Sequence, residues 1–195
     1  MSFVALTQSM ATLALLSAGL GLMLLLGLAL PAVRARIIAG VEGGESRLMG
    51  TALTLALAAS AGSLYYSEVV GFVPCSLCWY QRIAMYPLVP VLALALVYRD
   101  AVGAVRYGLA LTLPGLLIAL YHVTIQFRPS LDIGACSTGV SCTGRYLAVY
   151  GFVSIPVMAA SIFVLILALL LTLRLANAHS LPSDPSSGHG PRRPR

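Results

Sequence analysis

Lysine is absent from this chain; all 12 basic residues are arginine. Charge of either sign is scarce. Charged residues make up 9% of the sequence, against about 25% in a soluble globular domain, and none occurs before Arg34. Hydrophobic residues make up 59%. That imbalance excludes an ordinary soluble globule and points to a chain that lives in a bilayer. A net charge of +6 invites a nucleic-acid reading. Yet Arg192, Arg193 and Arg195 crowd the extreme C-terminus, and most other arginines stand alone between apolar runs. The charge therefore reads as topogenic, with no nucleic-acid partner. Familiar cofactor signatures are missing too. Trp79 follows Cys78, so there is no C-x-x-C-H for haem, and no Rossmann or P-loop glycine pattern stands in a suitable context.

What is present is a series of long apolar windows between the sparse charges: residues 3–30, 48–67, 83–98, 107–127 and 146–173. A helix needs about 20 apolar residues to cross about 30 Å of hydrocarbon. Four windows suffice, and the third does so only if its helix begins near Cys78, at the membrane boundary. The runs are rich in Leu, Ala and Val and do not alternate, so they predict helices rather than barrel strands. Pro87, Pro90, Pro114 and Pro156 fall inside spans, where neighbours or water can satisfy the freed carbonyls.

Arginine sets the expected orientation. With the 31–47 loop inside, alternation also places 99–106 and the C-terminal tail inside. Nine arginines (34, 36, 47, 99, 106, 174, 192, 193 and 195) then lie inside, and Arg82, Arg128 and Arg145 outside. The positive-inside rule favours this arrangement over its inverse. The first span lacks the charged start of a signal peptide, so it is expected to remain as an N-out helix. The tail "NAHSLPSDPSSGHGPRRPR" is expected to be disordered, with His179 and His189 as solvated residues in it.

The four cysteines form two close pairs, Cys75/Cys78 in "VPCSLCWYQR" and Cys136/Cys142 in the longest outward loop. Both pairs are expected on the side where disulfides persist. A closed zinc site would need all four sulfurs, and the C-x5-C spacing is off the usual knuckle, so no metal is expected. A redox pair fits the first motif best, with a structural clamp as the alternative. Pro74 marks a helix start, where exposed N–H groups and the dipole stabilise a thiolate. Thiolates are the attacking species in disulfide exchange. Arg82, four and seven residues on, shares their helix face. It offers a planar fork of donors to a ligand oxygen. Gly134, Gly139 and Gly144 suggest that the second pair rides on a flexible, reachable loop. Two such pairs suggest an electron relay between a soluble partner and something in the bilayer. A quinone would need only an apolar groove and polar groups near its oxygens.

These residues resemble the disulfide bond formation protein B (DsbB) family of quinone-dependent thiol oxidases, in its shorter, Gram-positive-like branch. The resemblance rests on "CSLCWYQR", on "HVTIQFRPS" with His122, Gln126, Pro129 and Ser130, and on "GFVSIPVMA". It implies an all-α membrane four-helix bundle over 48–175. To this the chain adds an N-terminal transmembrane helix and cytoplasmic linker (1–47) and a disordered cytoplasmic tail (176–195). It implies that Cys136 and Cys142 reoxidise a thioredoxin-like extracytoplasmic thiol oxidase. Cys75 and Cys78 would then pass the electrons to ubiquinone or menaquinone, with Arg82 contacting the quinone, in the bacterial cytoplasmic membrane. His122, an intramembrane ionisable residue, is expected at the quinone or in proton handling. Disulfides Cys75–Cys78 and Cys136–Cys142 are expected at rest, with an inter-pair bond such as Cys78 to a loop cysteine as intermediate. Glu68 is a weaker candidate for pairing with Arg82 or taking protons. Trp79, Tyr80 and Tyr86 read chiefly as an interfacial aromatic belt. Two features depart from the family: the short loop spacer and the extra first span. A transmembrane reductase and a structural subunit remain as alternatives.

Overall fold

A computed structural model describes residues 2–134, 136 and 140–180. Most of the expected tail, from residue 181 with His189, and part of the Cys136–Cys142 loop with Gly139 lie outside them. Helices dominate: α1 Phe3–Ala29, α2 Pro31–Val41, α3 Glu45–Leu64, α4 Ser76–Tyr98, α5 Ala101–Phe127 and α6 Ile155–Ser180. Five of these are long and apolar enough to cross a membrane, α3 with its continuation to Val69 among them.

The helix boundaries have local causes. Ser2 caps α1 by accepting from the Ala5 N–H at 3.3 Å. Cys75 is the N-cap of α4 and its sulfur accepts from the Cys78 N–H, so the helix begins at the cysteine motif, as the short third window required. Arg99 ends α4 in the left-handed conformation, φ 54°. Asp100 then caps α5 through the Gly103 N–H at 2.8 Å. This two-residue turn makes α4 and α5 antiparallel neighbours.

Three expectations change. The 31–47 linker contains α2, with Pro31 at its first position, where the missing N–H costs nothing. The uncharged window opens at 146, but the last helix begins at Ile155, within the "GFVSIPVMA" stretch that by resemblance starts the last core helix. Tyr150 (φ 54°) and Gly151 (φ 81°) turn the chain back, and Val149 pairs with Val153. Pro156 thus opens α6 rather than interrupting it. At the other end α6 runs through Ser180, so residues 176–180, His179 among them, are helical and not tail.

The core lies between α3, α4, α5 and α6, around Met49, Leu88, Leu92, Phe163, Ile166 and Leu170. Gly115 of α5 is needed there: a Cβ would collide with the Phe163 ring and come within 2.9 Å of the Ala84 Cβ. Small residues allow such close approach in membrane bundles, where dispersion replaces the hydrophobic effect as the driving force. Helix α1 packs along α6 by the same device, with a Cβ on Gly21 falling 2.9 Å from the Leu165 Cα. Outward side chains such as Met23, Val97 and Leu117 are exposed, as a lipid-facing surface would be. The antiparallel order brings the 70–75 segment, the 128–154 connection and the start of α1 to one end of the bundle.

Candidate active site

Buried polar side chains gather at that same end: Gln81, Arg82, His122, Gln126 and Ser154. They divide into two groups, each next to one cysteine of the α4 motif.

The first group surrounds Cys75. Cys136 and Cys142 form a disulfide, and the Cys75 sulfur and both of theirs lie within 4.8 Å of one another. The two pairs, some sixty residues apart in sequence, therefore form one sulfur cluster. Cys75 and Cys78 are free thiols with sulfurs 2.9 Å apart. This differs from the expected resting disulfide, since a bond would bring them to about 2.05 Å. The sulfur that meets the loop pair is Cys75, not Cys78 as the anticipated intermediate had it. Cys75 stands at the cap, turned toward α5 and the loop, whereas Cys78 is one turn further in.

His122 ties this cluster together. Its Nδ1 is 3.0 Å from the Gln81 Nε2, and its Nε2 is 3.1 Å from the Cys142 carbonyl and 3.8 Å from the Cys75 sulfur. With the amide of Gln81 donating to Nδ1, the hydrogen on Nε2 donates to Cys142 O. Gln126 continues the strap. Its Nε2 donates to Gly144 O at 3.1 Å, and its Oε1 accepts from Ser154 Oγ at 2.6 Å. Arg145 donates to Gln126 O at 2.8 Å and stacks on Phe127. Tyr121 Oη accepts from the Ile133 N–H at 3.1 Å on the other flank. The described flanks of the loop are thus anchored to α5. Cys142 is 1% exposed, whereas Cys136 is partly open to solvent.

A hydrogen bond from the Cys78 thiol holds the Cys75 thiol down at about 4. His122 and the Cys78 N–H add to that effect, while burial opposes it. Cys75 is therefore a thiolate at neutral pH, beside a disulfide it can attack.

The second group surrounds Cys78. Cys78, Gln81, Arg82, Met85 and Tyr86 form one side of a mostly apolar cavity of about 200 Å³. Cys75 is not part of that wall. Arg82 donates through Nε to Ser63 Oγ at 2.9 Å and through a terminal nitrogen to Ser63 O at 3.0 Å, and its guanidinium lies 5.2 Å from the Trp79 ring centroid. Ser63 thus takes two of the five N–H donors of a guanidinium. Trp79 and Tyr86 belong to this group, beyond the belt role expected of them, since the Tyr86 hydroxyl also reaches Ser63 Oγ at 3.4 Å. Glu68 does not join: its carboxylate accepts from Ser67 at 2.9 Å.

The family model for disulfide bond formation protein DsbB matches residues 45–173. The chain belongs to this family. Among similar proteins, a probable disulfide formation protein C from Halalkalibacterium halodurans is 47% identical over 123 residues, 63% of this chain and 88% of that one. Disulfide bond formation protein C of Bacillus subtilis strain 168 is 41% identical over 121 residues, 62% of this chain and 87% of its own. No solved structure matches. Membership makes the chain a multi-pass membrane oxidoreductase of protein disulfide formation. The matched segment contains both cysteine pairs and excludes α1 and α2.

Sequence reasoning missed Ser63, Gln81, Ser154 and also Tyr146, which lines the cavity and donates to Val73 O at 3.0 Å. Gln81 had a signal, an amide in an otherwise apolar span. Ser63 had none, because serines facing lipid and serines facing an arginine look alike in sequence.

Proposed function

We propose that the protein is a thiol:quinone oxidoreductase that reoxidises a thioredoxin-like dithiol protein and passes the electrons to a membrane quinone. One observation carries this reading: the two sulfurs of a single motif face different neighbours. Cys75 lies within 4.8 Å of the loop disulfide, and Cys78 borders an apolar cavity that also holds Arg82.

A thiolate of the reduced partner attacks Cys136, the more exposed loop sulfur, and Cys142 leaves. The partner's second thiol resolves the mixed disulfide, so the partner is oxidised and the loop pair reduced. A loop thiolate then attacks Cys75 of an oxidised Cys75–Cys78 pair and releases Cys78. The second loop thiol restores Cys136–Cys142 and leaves both α4 cysteines reduced. Two electrons pass from the reduced pair to a quinone beside Cys78, with one proton from the Cys78 thiol and one from solvent, giving quinol and re-forming Cys75–Cys78. Loop disulfide with α4 thiols, the state described above, is the one that precedes quinone reduction. Arg82 polarises a quinone oxygen, and His122 positions the loop for exchange.

The distribution of arginine supports placing the cysteine end outside the cytoplasmic membrane. An impermeant thiol reagent should label reduced Cys136 from outside, and labelling from the cytoplasmic side alone would reverse the topology. The main test mixes purified protein anaerobically with quinone and a reduced thioredoxin-like protein. Quinone absorbance should fall in step with partner oxidation, one quinone per disulfide. Partner oxidation that stops after one equivalent, with quinone untouched, would overturn the reading.

A further inference from the structure

Helix α1 lies outside the matched segment, yet Met10, Leu13 and Ala14 line the same cavity as Cys78 and Arg82. The other walls come from α3 and its continuation through Ser67, from α4, α6 and the 72–74 segment, and from Tyr146. Without α1, the cavity would open to lipid between α3 and α6.

Several contacts hold α1 in that place. Ala11 and Ala14 are buried against Val153 and Met158. Thr12 Oγ1 is 2.9 Å from the Tyr150 hydroxyl. Gly21 allows backbone contact with α6 further along. On the α3 side, Met10 reaches across so that a Cβ on Gly62 would sit 3.8 Å from its Cε. Tyr66, 5% exposed and part of the cavity wall, comes near Thr7 of α1, yet the hydroxyls of both are buried without a completed hydrogen bond. Buried hydroxyls usually find partners. Their shortfall falls at the seam where α1 meets the cavity.

We propose that α1 is a wall of the acceptor site, and that Met10 and Leu13 set which quinones fit by packing against the apolar substituents of the ring. This rests on the quinone reading above. It goes beyond that reading by placing acceptor selectivity in a helix that lies outside the segment matched to the family. Leu16, one turn on from Leu13 and as exposed as it, is absent from the cavity lining and has no such role.

The test compares full-length wild type, Met10→Trp, Met10→Ala and Leu16→Trp. The acceptors are tetramethylbenzoquinone, which has no ring hydrogen for thiol addition, and a decyl-substituted benzoquinone. Thermal melting and single-turnover oxidation of the thioredoxin-like partner are recorded beside them. Met10→Trp fills the cavity and should raise the apparent KM for both quinones roughly tenfold or more, with partner oxidation unchanged. Met10→Ala should weaken the decyl quinone more than the tetramethyl one, and it carries the test if the tryptophan variant does not fold. Leu16→Trp should match wild type. Wild type that reduces neither quinone sinks the quinone reading itself. Wild type that reduces them, with both Met10 variants unchanged or Leu16→Trp equally impaired, overturns the role of α1 alone.

Discussion

Cys75 and Cys78 are separated by one helical turn, and their surroundings are built on opposite principles. Around Cys75 the polar groups are paired with one another: His122 with Gln81 and the Cys142 carbonyl, Gln126 with Ser154 and Gly144. Around Cys78 the wall is mainly apolar, and its one cation, Arg82, is only partly engaged by Ser63. A saturated network fixes geometry, because each broken bond leaves a buried group unsatisfied. An apolar cavity with spare donors leaves room for a ligand. The difference teaches how one motif can hold a protein disulfide in register on one side and remain open to a small molecule on the other.

The sharpest way to break this comparison is Cys78→Ser. Quinone reduction should fall to the uncatalysed background, while the Cys136–Cys142 disulfide still oxidises one equivalent of partner. Steady-state quinone absorbance and single-turnover partner oxidation, measured side by side, separate the two regions. Multiple turnovers in the variant would mean that Cys75 reaches the quinone without its neighbour.

Arg82→Ala comes next. Loss of one charge-assisted hydrogen bond to a quinone oxygen, about 1.5–3 kcal/mol, should weaken apparent quinone affinity about 10- to 150-fold. Arg82→Lys should lie between, since a lysine keeps the charge but not the planar fork that holds Ser63. Partner oxidation in a single turnover should not change. An unaltered quinone KM in Arg82→Ala would reduce Arg82 to a structural strap on α3.

His122→Ala tests the Cys75 side. It strips a partner from Gln81 and from the Cys142 carbonyl, at a cost of about 1–3 kcal/mol. Melting in detergent should show that loss. Trapping of the Cys75–loop mixed disulfide should slow, while quinone affinity stays as in wild type. A change in quinone KM instead would move His122 to the other region.

The smallest effect concerns pH. The folded Cys75 value, about 4, lies below the ordinary thiol value of about 8.5. The thiolate therefore favours the folded state. That contribution is complete above about pH 8.5, declines as pH falls, and is gone below about 4. Thiolate absorbance, taken as wild type minus Cys75→Ala, should stay nearly flat from pH 8 to 5 and drop near 4. A midpoint near 8 would mean that the Cys78 hydrogen bond and His122 do not act on Cys75.

Much of this was legible in the chain. Sparse arginines marked the spans, and the need for about 20 apolar residues drew α4 back to the cysteine motif. Pro74 and the cysteines gave the helix start to within a residue. The α2 helix was less legible, because a linker that turns helical needs neighbours such as those that bury Ile38. The glycines around the loop cysteines say nothing of how the loop's flanks are held. They report local backbone freedom, while Gln126 and Arg145, which hold the flank at Gly144 and at the end of α5, act from outside the glycine pattern.

By itself the sequence determined the helical spans, the common end of the two cysteine pairs and the family, since each follows from local composition, alternation and motif spacing. Only the tertiary structure decided that Cys75 meets the loop disulfide, that Cys78 borders the cavity and that α1 closes it. Those outcomes depend on which helix faces fall against one another. In an apolar bundle that choice is made by close approach at small residues such as Gly21 and Gly115 and by buried polar pairs such as His122 with Gln81. These contacts join residues tens of positions apart, beyond the reach of any local pattern.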